Sequence, residues 1–251
     1  MNSKVTAFNA YKTDKREEII SFNRLINDSE MALSRKDKRL LISSYIVLSY
    51  AYWESCFHKF QELVFTKYQK EMVKNLPFKI RNAVYIELAK KAANQSCNKK
   101  ICEVKSANVF DTIQKKMHDL DDISLENTIY KDKFSHIFIS STQNPRLNQF
   151  KELLNRYNFD FDEIIKNVDI NPVFEEGLKF IIEQRNSIAH KNEQIQFNDK
   201  TFLNYDECYS EFKSLNSCSM TTISDFLTEM NFEIDKFFTY FSKVIILGAQ
   251  S

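Results

Sequence analysis

The chain has 251 residues and a net charge of +1; 43% of its residues are hydrophobic and 14% aromatic, but only 2 are glycine and 3 proline. This apolar content excludes a disordered or collagen-like chain. The shortage of glycine also argues against turn-rich β-sandwiches and glycine-rich nucleotide-binding sheets, because both need backbone at positive φ.

Apolar residues spaced three and four apart predict helices along most of the chain, and no strand pattern emerges. Asp14 and Glu17 have the spacing of a capping box, which predicts a first helix that starts there and ends at about Leu33. The clearest helix is predicted from about Asp37 to Val73. At about ten turns, it is long enough to form the spine of the domain.

A basic segment follows Pro77. Residues 80–93 are predicted to form an amphipathic helix, and residues 94–123 an irregular segment or a broken helix. Residues 59–116 have a net charge of +8, which fits either a cationic face for a polyanion or an ordinary lysine-rich helical surface. The lysines best placed to contact nucleic-acid phosphates are Lys90, Lys91, Lys99, Lys100 and Lys105.

Cap signals and apolar spacing predict the remaining helices, with loops at residues 143–145 and 191–204. These helices run from Arg146 to Tyr157, from Asp160 over a short stretch, from Asn171 and Pro172 to about His190, from Asn204, and from Thr222 to about Leu247. The sequence therefore predicts an all-α fold.

The cysteines and the chain ends indicate the cellular setting. The 5 cysteines include no Cys-x-x-Cys pair, which argues against a disulfide framework and against a thiolate zinc site. Polar residues follow Met1 directly, and the apolar run 244–247 is far shorter than the about 20 residues that span a bilayer. We therefore expect a soluble cytoplasmic protein without a membrane partner.

The segment Arg185-Asn186-Ser187-Ile188-Ala189-His190 is the most informative for chemistry. Arg185 falls on the apolar stripe of its helix, and a guanidinium cannot lose its charge there, so it needs a carboxylate, a phosphate or a water-filled cleft. Asn186 and His190 are neighbours at i and i+4, a spacing at which the amide can hold the imidazole in one tautomer for acid–base work.

Arg185 and His190 lie about 140° apart around the helix, so one copy does not easily direct both groups at one atom. Two copies related by a two-fold axis can build a shared cleft instead. The spacing also leaves a structural alternative open, in which His190 only complements the helix dipole and Arg185 snorkels or pairs with an acid such as Glu54.

The motif resembles the R-x4-6-H motif, with a polar residue directly after the Arg, of the HEPN superfamily (higher eukaryotes and prokaryotes nucleotide-binding). The segment 46–57, Ile-Val-Leu-Ser-Tyr-Ala-Tyr-Trp-Glu-Ser-Cys-Phe, is similar to the aromatic-Trp-Glu signature of RiboL-PSP-type HEPN proteins. Residues 144–160 resemble the middle region of that family. The resemblance covers about residues 10–245 in order.

This resemblance implies one HEPN-like helical domain over residues 1–251 that forms a two-fold dimer. Its core helices would cover about 14–73 and 146–247, with the basic insertion at about 77–123. The resemblance also implies a metal-independent endoribonuclease without a cofactor, commonly a toxin or antiphage effector. An antitoxin, a sensor or an ATPase would then be its partner protein.

The matching positions imply roles for four residues in such a nuclease. Arg185 and His190 match the catalytic pair of the family, Asn186 matches its polar accessory position, and Glu54 its helix-borne acid. Two positions depart from the family pattern. Lys191 replaces the usual Gly after the motif His, which puts the following turn in doubt. Asn192 replaces the Tyr that a partner nucleotidyltransferase modifies in some members, so control by that route is not expected.

Two other functions stay open at this point. One is a catalytically silent HEPN module that binds a nucleotide or a partner protein, and the other is a helical adaptor with a coincidental motif. The remaining candidate positions have structural explanations. Trp53 is expected to anchor the core and His58 to lie in the core or at its rim. His118 and His136, with Asp119, Asp121 and Asp122 nearby, form either a metal cluster or a solvated acidic turn.

Overall fold

A computed structural model describes residues 2–28, 33–97, 106–127, 145–192 and 205–247. Within these ranges the chain is helical, and its extended pairing is a single antiparallel bridge between Met72 and Ser124. The α-helices are α1 (Asn2–Asp28), α2 (Arg35–Tyr68), α3 (Phe78–Cys97), α4 (Ser106–Asp121), α5 (Leu147–Arg156), α6 (Phe161–Val168), α7 (Phe174–Asn192), α8 (Tyr205–Asn216) and α9 (Ile223–Leu247). The predicted all-α fold is confirmed.

Side-chain caps explain where three of the helices begin. In each cap a side-chain oxygen accepts a backbone N–H two or three residues further along. The pairs are Ser34 with Asp37 (3.2 Å), Asn171 with Val173 (3.0 Å) and Thr222 with Asp225 (3.1 Å). The starts of α2, α7 and α9 therefore lie within a few residues of the predicted positions.

The first helix begins earlier than its capping-box spacing predicts. Asp14 and Glu17 lie in the interior of α1 and are exposed, so their spacing reflects two acids on one solvent-facing side. The inward side contains Val5, Phe8 and Ile19, which are at most 5% exposed. This apolar face, rather than a cap, accounts for where α1 forms.

Within the described residues the basic segment is helical, which fits the broken-helix alternative of the prediction. Residues 94–97 continue α3, and α4 covers much of the remainder, although residues 98–105 lie outside the described ranges. The predicted loops are also shorter in part, because α7 continues to Asn192. The apolar residues of α4 are spaced so that they share one face of a helix, which explains why this polar segment is helical.

The chain divides into two compact units. The first contains residues 61–143 and 151–161, and the second contains residues 2–60, 144–150 and 162–251, as far as these are described. In the first unit α3 packs against α4, and the N–H of Val73 donates to the carbonyl of Ile123 at 3.1 Å. The expected division into core helices and an insertion stays a prediction.

An aromatic cluster forms the centre of the second unit. Phe150 is fully buried, and six other rings surround it with centroids 5.3–5.7 Å away. These rings belong to Trp53, Phe57, Phe60, Phe237, Phe238 and Phe241. Trp53 is 0% exposed, so its expected place in the core is confirmed. The cluster joins α2, the start of α5 and α9.

A buried ion pair connects α1 to α9. Lys12 Nζ lies 3.6 Å from Asp235 Oδ1, and the Tyr52 hydroxyl donates to the same oxygen at 3.1 Å. Burial lowers the pKa of Lys12, while the negative charge of Asp235 opposes that change. The pair thus compensates part of the cost of placing an ammonium group inside the protein.

Gly177 allows α7 to approach α9. A Cβ at this position would lie 2.5 Å from Met230 Sδ and 3.2 Å from Phe226 Cζ, both closer than ordinary carbon contacts. A side chain at this position would therefore have to displace the end of the Met230 side chain. No described helix combines the length and the apolar character that a membrane span requires.

Tyr45 provides a test of the core at high pH. Its hydroxyl hydrogen-bonds with Thr228 Oγ1 at 2.7 Å, and burial raises the pKa of Tyr45 to about 12. An unfolded tyrosine ionises near pH 10, so between about pH 10 and pH 12 the unfolded chain binds fewer protons than the folded chain. The free energy of unfolding therefore falls as the pH rises through that window.

Between pH 9 and pH 11.5, we expect the free energy of unfolding to fall by about 2 kcal/mol more in the wild type than in Tyr45→Phe. Urea denaturation followed by circular dichroism at each pH measures this difference. The other tyrosines are common to both proteins, so they cancel in the comparison. Equal pH dependence in the two proteins would show that Tyr45 ionises as it does in water.

Candidate active site

The packing of α7 determines where the motif residues lie. Phe174, Leu178 and Ile181 are at most 1% exposed, which confirms the predicted apolar stripe along this part of the helix. Arg185 follows one turn later and is half-buried. Its side chain is therefore directed toward the protein and not into bulk solvent.

The Arg185 guanidinium lies over the ring of Tyr50 on α2. Its central carbon is 4.6 Å from the ring centroid, which is the geometry of a cation–π contact. Tyr50 is 1% exposed, and its hydroxyl donates to Glu54 Oε1 at 3.2 Å. The guanidinium is thus supported by an aromatic ring that a carboxylate holds in turn.

Tyr50 keeps its proton at neutral pH. Burial raises the pKa of the Tyr50 phenol most, the nearby negative charge of Glu54 raises it further, and the positive charge of Arg185 opposes both. A neutral phenol can donate its hydrogen bond to Glu54 over the whole physiological range. The orientation of the ring under Arg185 is consequently insensitive to pH there.

Asn186 contacts Arg185 directly. Arg185 Nη1 donates to Asn186 Oδ1 at 3.2 Å, so the amide nitrogen of Asn186 is directed away from the guanidinium. His190 lies in α7 one turn after Asn186, but its side chain is outside the described part of the structure. The contact between this amide and the imidazole therefore stays a prediction.

The structure brings three of the four predicted catalytic positions into one cluster. Arg185 and Asn186 touch each other, and Tyr50 connects Arg185 to Glu54. Sequence reasoning did not assign a role to Tyr50. Two signals point to it in retrospect: the i, i+4 spacing of Tyr50 and Glu54, and the need of a half-buried Arg for a partner.

The five lysines predicted to contact RNA have no described side-chain positions. Lys90 and Lys91 lie in α3, of which the structure describes only the backbone at these residues, and Lys99, Lys100 and Lys105 lie outside the described residues. Two other cations, Lys74 and Lys79, have partners within the first unit. Lys74 pairs with Asp122 at 2.5 Å, and Lys79 donates to Asn155.

Two of the remaining histidines, His58 and His118, have surroundings that fit structural roles. His58 is half-buried with its ring edge-on to Phe57, 5.6 Å between centroids. His118 is exposed on α4, and Asp121, three residues further along, accepts a hydrogen bond from the Tyr85 hydroxyl. Within the described ranges, no group of three His, Cys, Asp or Glu residues is placed to hold a metal ion. His136 lies outside these ranges.

The similarity of the chain to known proteins lies at the level of a family. The family profile described as RiboL-PSP-HEPN matches residues 12–224, which include both the Trp53-Glu54 pair and the motif of α7. No curated protein and no solved structure gave a match. Because the profile spans most of the chain, the protein belongs to the RiboL-PSP-type family of the HEPN superfamily.

Proposed function

We propose that the protein is a metal-independent endoribonuclease that cleaves RNA by attack of its own 2′-hydroxyl. The observation that carries this proposal is the setting of Arg185, which is half-buried on Tyr50 inside the family motif. The guanidinium has five N–H donors, of which Asn186 accepts one. This arrangement suits a phosphate, whose oxygens accept bidentate hydrogen bonds from Arg.

The reaction needs an acid, a base and a stabilised phosphoryl group. The imidazole of His190 removes the 2′ proton, and the 2′ oxygen forms a bond to phosphorus while the bond to the 5′ oxygen breaks. The His190 imidazolium of the second copy protonates the departing 5′ oxygen. The products are a 2′,3′-cyclic phosphate and a 5′-hydroxyl, and Arg185 stabilises the charge on the phosphoryl oxygens throughout.

Tyr50, Glu54 and Asn186 act on Arg185 in this scheme. The ring of Tyr50 supports the guanidinium, Glu54 orients that ring, and Asn186 accepts one N–H. Their role is positioning, because a guanidinium that is already oriented loses little entropy when a phosphate binds. We also propose a homodimer, because one copy separates Arg185 and His190 by about 140° around α7.

The biological setting follows from the same proposal. A nuclease of this kind acts in the cytoplasm as a toxin or an antiphage effector, and an antitoxin, a sensor or an ATPase restrains it. Lys90, Lys91, Lys99, Lys100 and Lys105 bind the RNA backbone. The alternative is a catalytically silent HEPN module that binds a nucleotide or a partner protein, and Lys191 in place of the usual Gly is the feature that favours it.

Incubation of the purified protein with total RNA in EDTA tests the proposal. We expect cleavage to persist with the chelator and to leave 2′,3′-cyclic phosphate ends, which sequencing after end-specific ligation identifies. A DNA strand of matched sequence should remain intact because it has no 2′-hydroxyl. Cleavage that stops in EDTA, or equal cleavage of the DNA strand, contradicts the mechanism. Intact RNA under all conditions supports the silent module.

A further inference from the structure

A cavity of about 350 Å³ lies beside the motif, between one face of α7 and the start of α5. Six of its lining residues matter here, namely Arg146, Asn148, Lys179, Ile182, Glu183 and Asn186. Its volume falls in the range of pockets that bind small organic groups. The cavity is therefore large enough for part of a nucleotide.

The cavity adjoins the candidate active site through one residue. Asn186 lines the cavity and also accepts the hydrogen bond from Arg185 at 3.2 Å. Glu183 precedes Asn186 by three residues, so both lie on the same face of α7. A group bound in the cavity would thus lie next to a phosphate held by Arg185.

The opposite wall is held in place by the aromatic cluster. The indole nitrogen of Trp53 donates to the carbonyl of Pro145 at 2.8 Å, directly before α5. Phe150, one turn into α5, is surrounded by the rings of that cluster and is fully buried. The backbone N–H of Arg146 donates to Gln149 Oε1 at 2.9 Å. The wall is consequently formed before any ligand binds.

The charges of the lining indicate which part of a nucleotide it accepts. The lining contains the carboxylates of Glu175, Glu176 and Glu183 and the cations Arg146 and Lys179. Lys179 is paired with Glu176 at 3.5 Å. The excess of carboxylates disfavours binding of another phosphate beside the one that Arg185 would hold, and it favours a ligand that donates hydrogen bonds. Ile182 also lines the cavity but is only 5% exposed, so it contributes a small apolar part of the wall.

We propose that this cavity binds the base of the nucleotide next to the scissile phosphate and selects guanine, with Glu183 as the specificity-determining residue. Guanine presents a ring N–H and an exocyclic amino group side by side, which match the two oxygens of one carboxylate. Uracil presents one N–H between two carbonyl groups, and carbonyl oxygens are repelled by a carboxylate. This assignment rests on the proposed nuclease function and names the substrate feature that it recognises.

Cleavage of a randomised RNA pool tests the assignment. We expect the wild type to cut next to guanine, and Glu183→Gln to reduce the preference for guanine over uracil by about 5- to 150-fold. Cleavage next to the other bases should change little, because Arg185 and His190 are intact. Glu211→Gln removes an exposed carboxylate of α8 and should leave both the rate and the preference unchanged.

A binding measurement separates a failure of this inference from a failure of the nuclease function. Arg185→Ala protein is titrated with guanosine 5′-monophosphate and uridine 5′-monophosphate, with and without Glu183→Gln. Tighter binding of the guanosine nucleotide that disappears in the double variant supports the cavity, even when the wild type cuts no RNA. RNA cleavage without a guanine preference, or a preference that survives Glu183→Gln, overturns the inference and leaves the nuclease function standing.

Discussion

His190→Ala is expected to reduce the rate of RNA cleavage by about 10²- to 10⁴-fold, and Arg185→Ala by about 10²- to 10³-fold. The first change removes the group that transfers protons in the proposed reaction. The second removes the charge that stabilises the phosphoryl oxygens, and it leaves the ring of Tyr50 without the cation that now lies 4.6 Å above it. Single-turnover cleavage of a short RNA measures both losses without a contribution from product release.

Matched controls exist for both changes on exposed positions. His118→Ala on α4 and Arg24→Ala on α1 remove the same side-chain types far along the sequence from the motif. We expect both control proteins to cleave at the wild-type rate, and all four variants to retain the helical circular dichroism signal. Substantial cleavage by both Arg185→Ala and His190→Ala would place the active site elsewhere or reveal a contaminating nuclease.

Phe150→Ala is expected to lower the free energy of unfolding by about 3–5 kcal/mol. The substitution removes a ring that contacts six others in a fully buried position, and neighbouring helices cannot collapse fully into the space. The loss is large compared with the about 5–15 kcal/mol that stabilises a typical domain. Urea denaturation followed by circular dichroism provides the measurement.

Phe78→Ala serves as the control for loss of a phenyl ring. Phe78 begins α3 and is 66% exposed, so its replacement should change the free energy of unfolding by no more than about 0.5 kcal/mol. The two variants share the same change in composition and differ in burial. A loss of similar size in both would contradict the central position of Phe150 in the core.

Local signals in the sequence predicted much of the fold. The caps at Asn171 and Thr222 lie where helices begin because a cap depends only on residues two or three positions apart. The apolar stripe of α7 is equally local, and it correctly directed Arg185 toward the protein. The start of α1 was predicted wrongly because Asp14 and Glu17 satisfy the cap spacing while exposed in mid-helix.

The partners of the site residues could not be predicted in the same way. Tyr50 and Arg185 lie 135 positions apart, and no periodicity along the chain indicates that α2 places this ring under α7. One wall of the cavity beside Asn186 begins next to a hydrogen bond between Trp53 and Pro145, which lie 92 positions apart. Such contacts follow from the packing of whole helices.

The adjacency of Trp53 and Glu54 on α2 connects the core of the protein to the candidate active site. Trp53 is buried against Phe150, whereas the next residue, Glu54, accepts a hydrogen bond from the Tyr50 hydroxyl. Two consecutive residues thus lie in different environments. Inserting or deleting one residue between Tyr50 and Trp53 would rotate one set of contacts by about 100° relative to the other. This stretch of helix therefore has to keep its residue count for the core contact of Trp53 and the hydrogen bond of Glu54 to be preserved together.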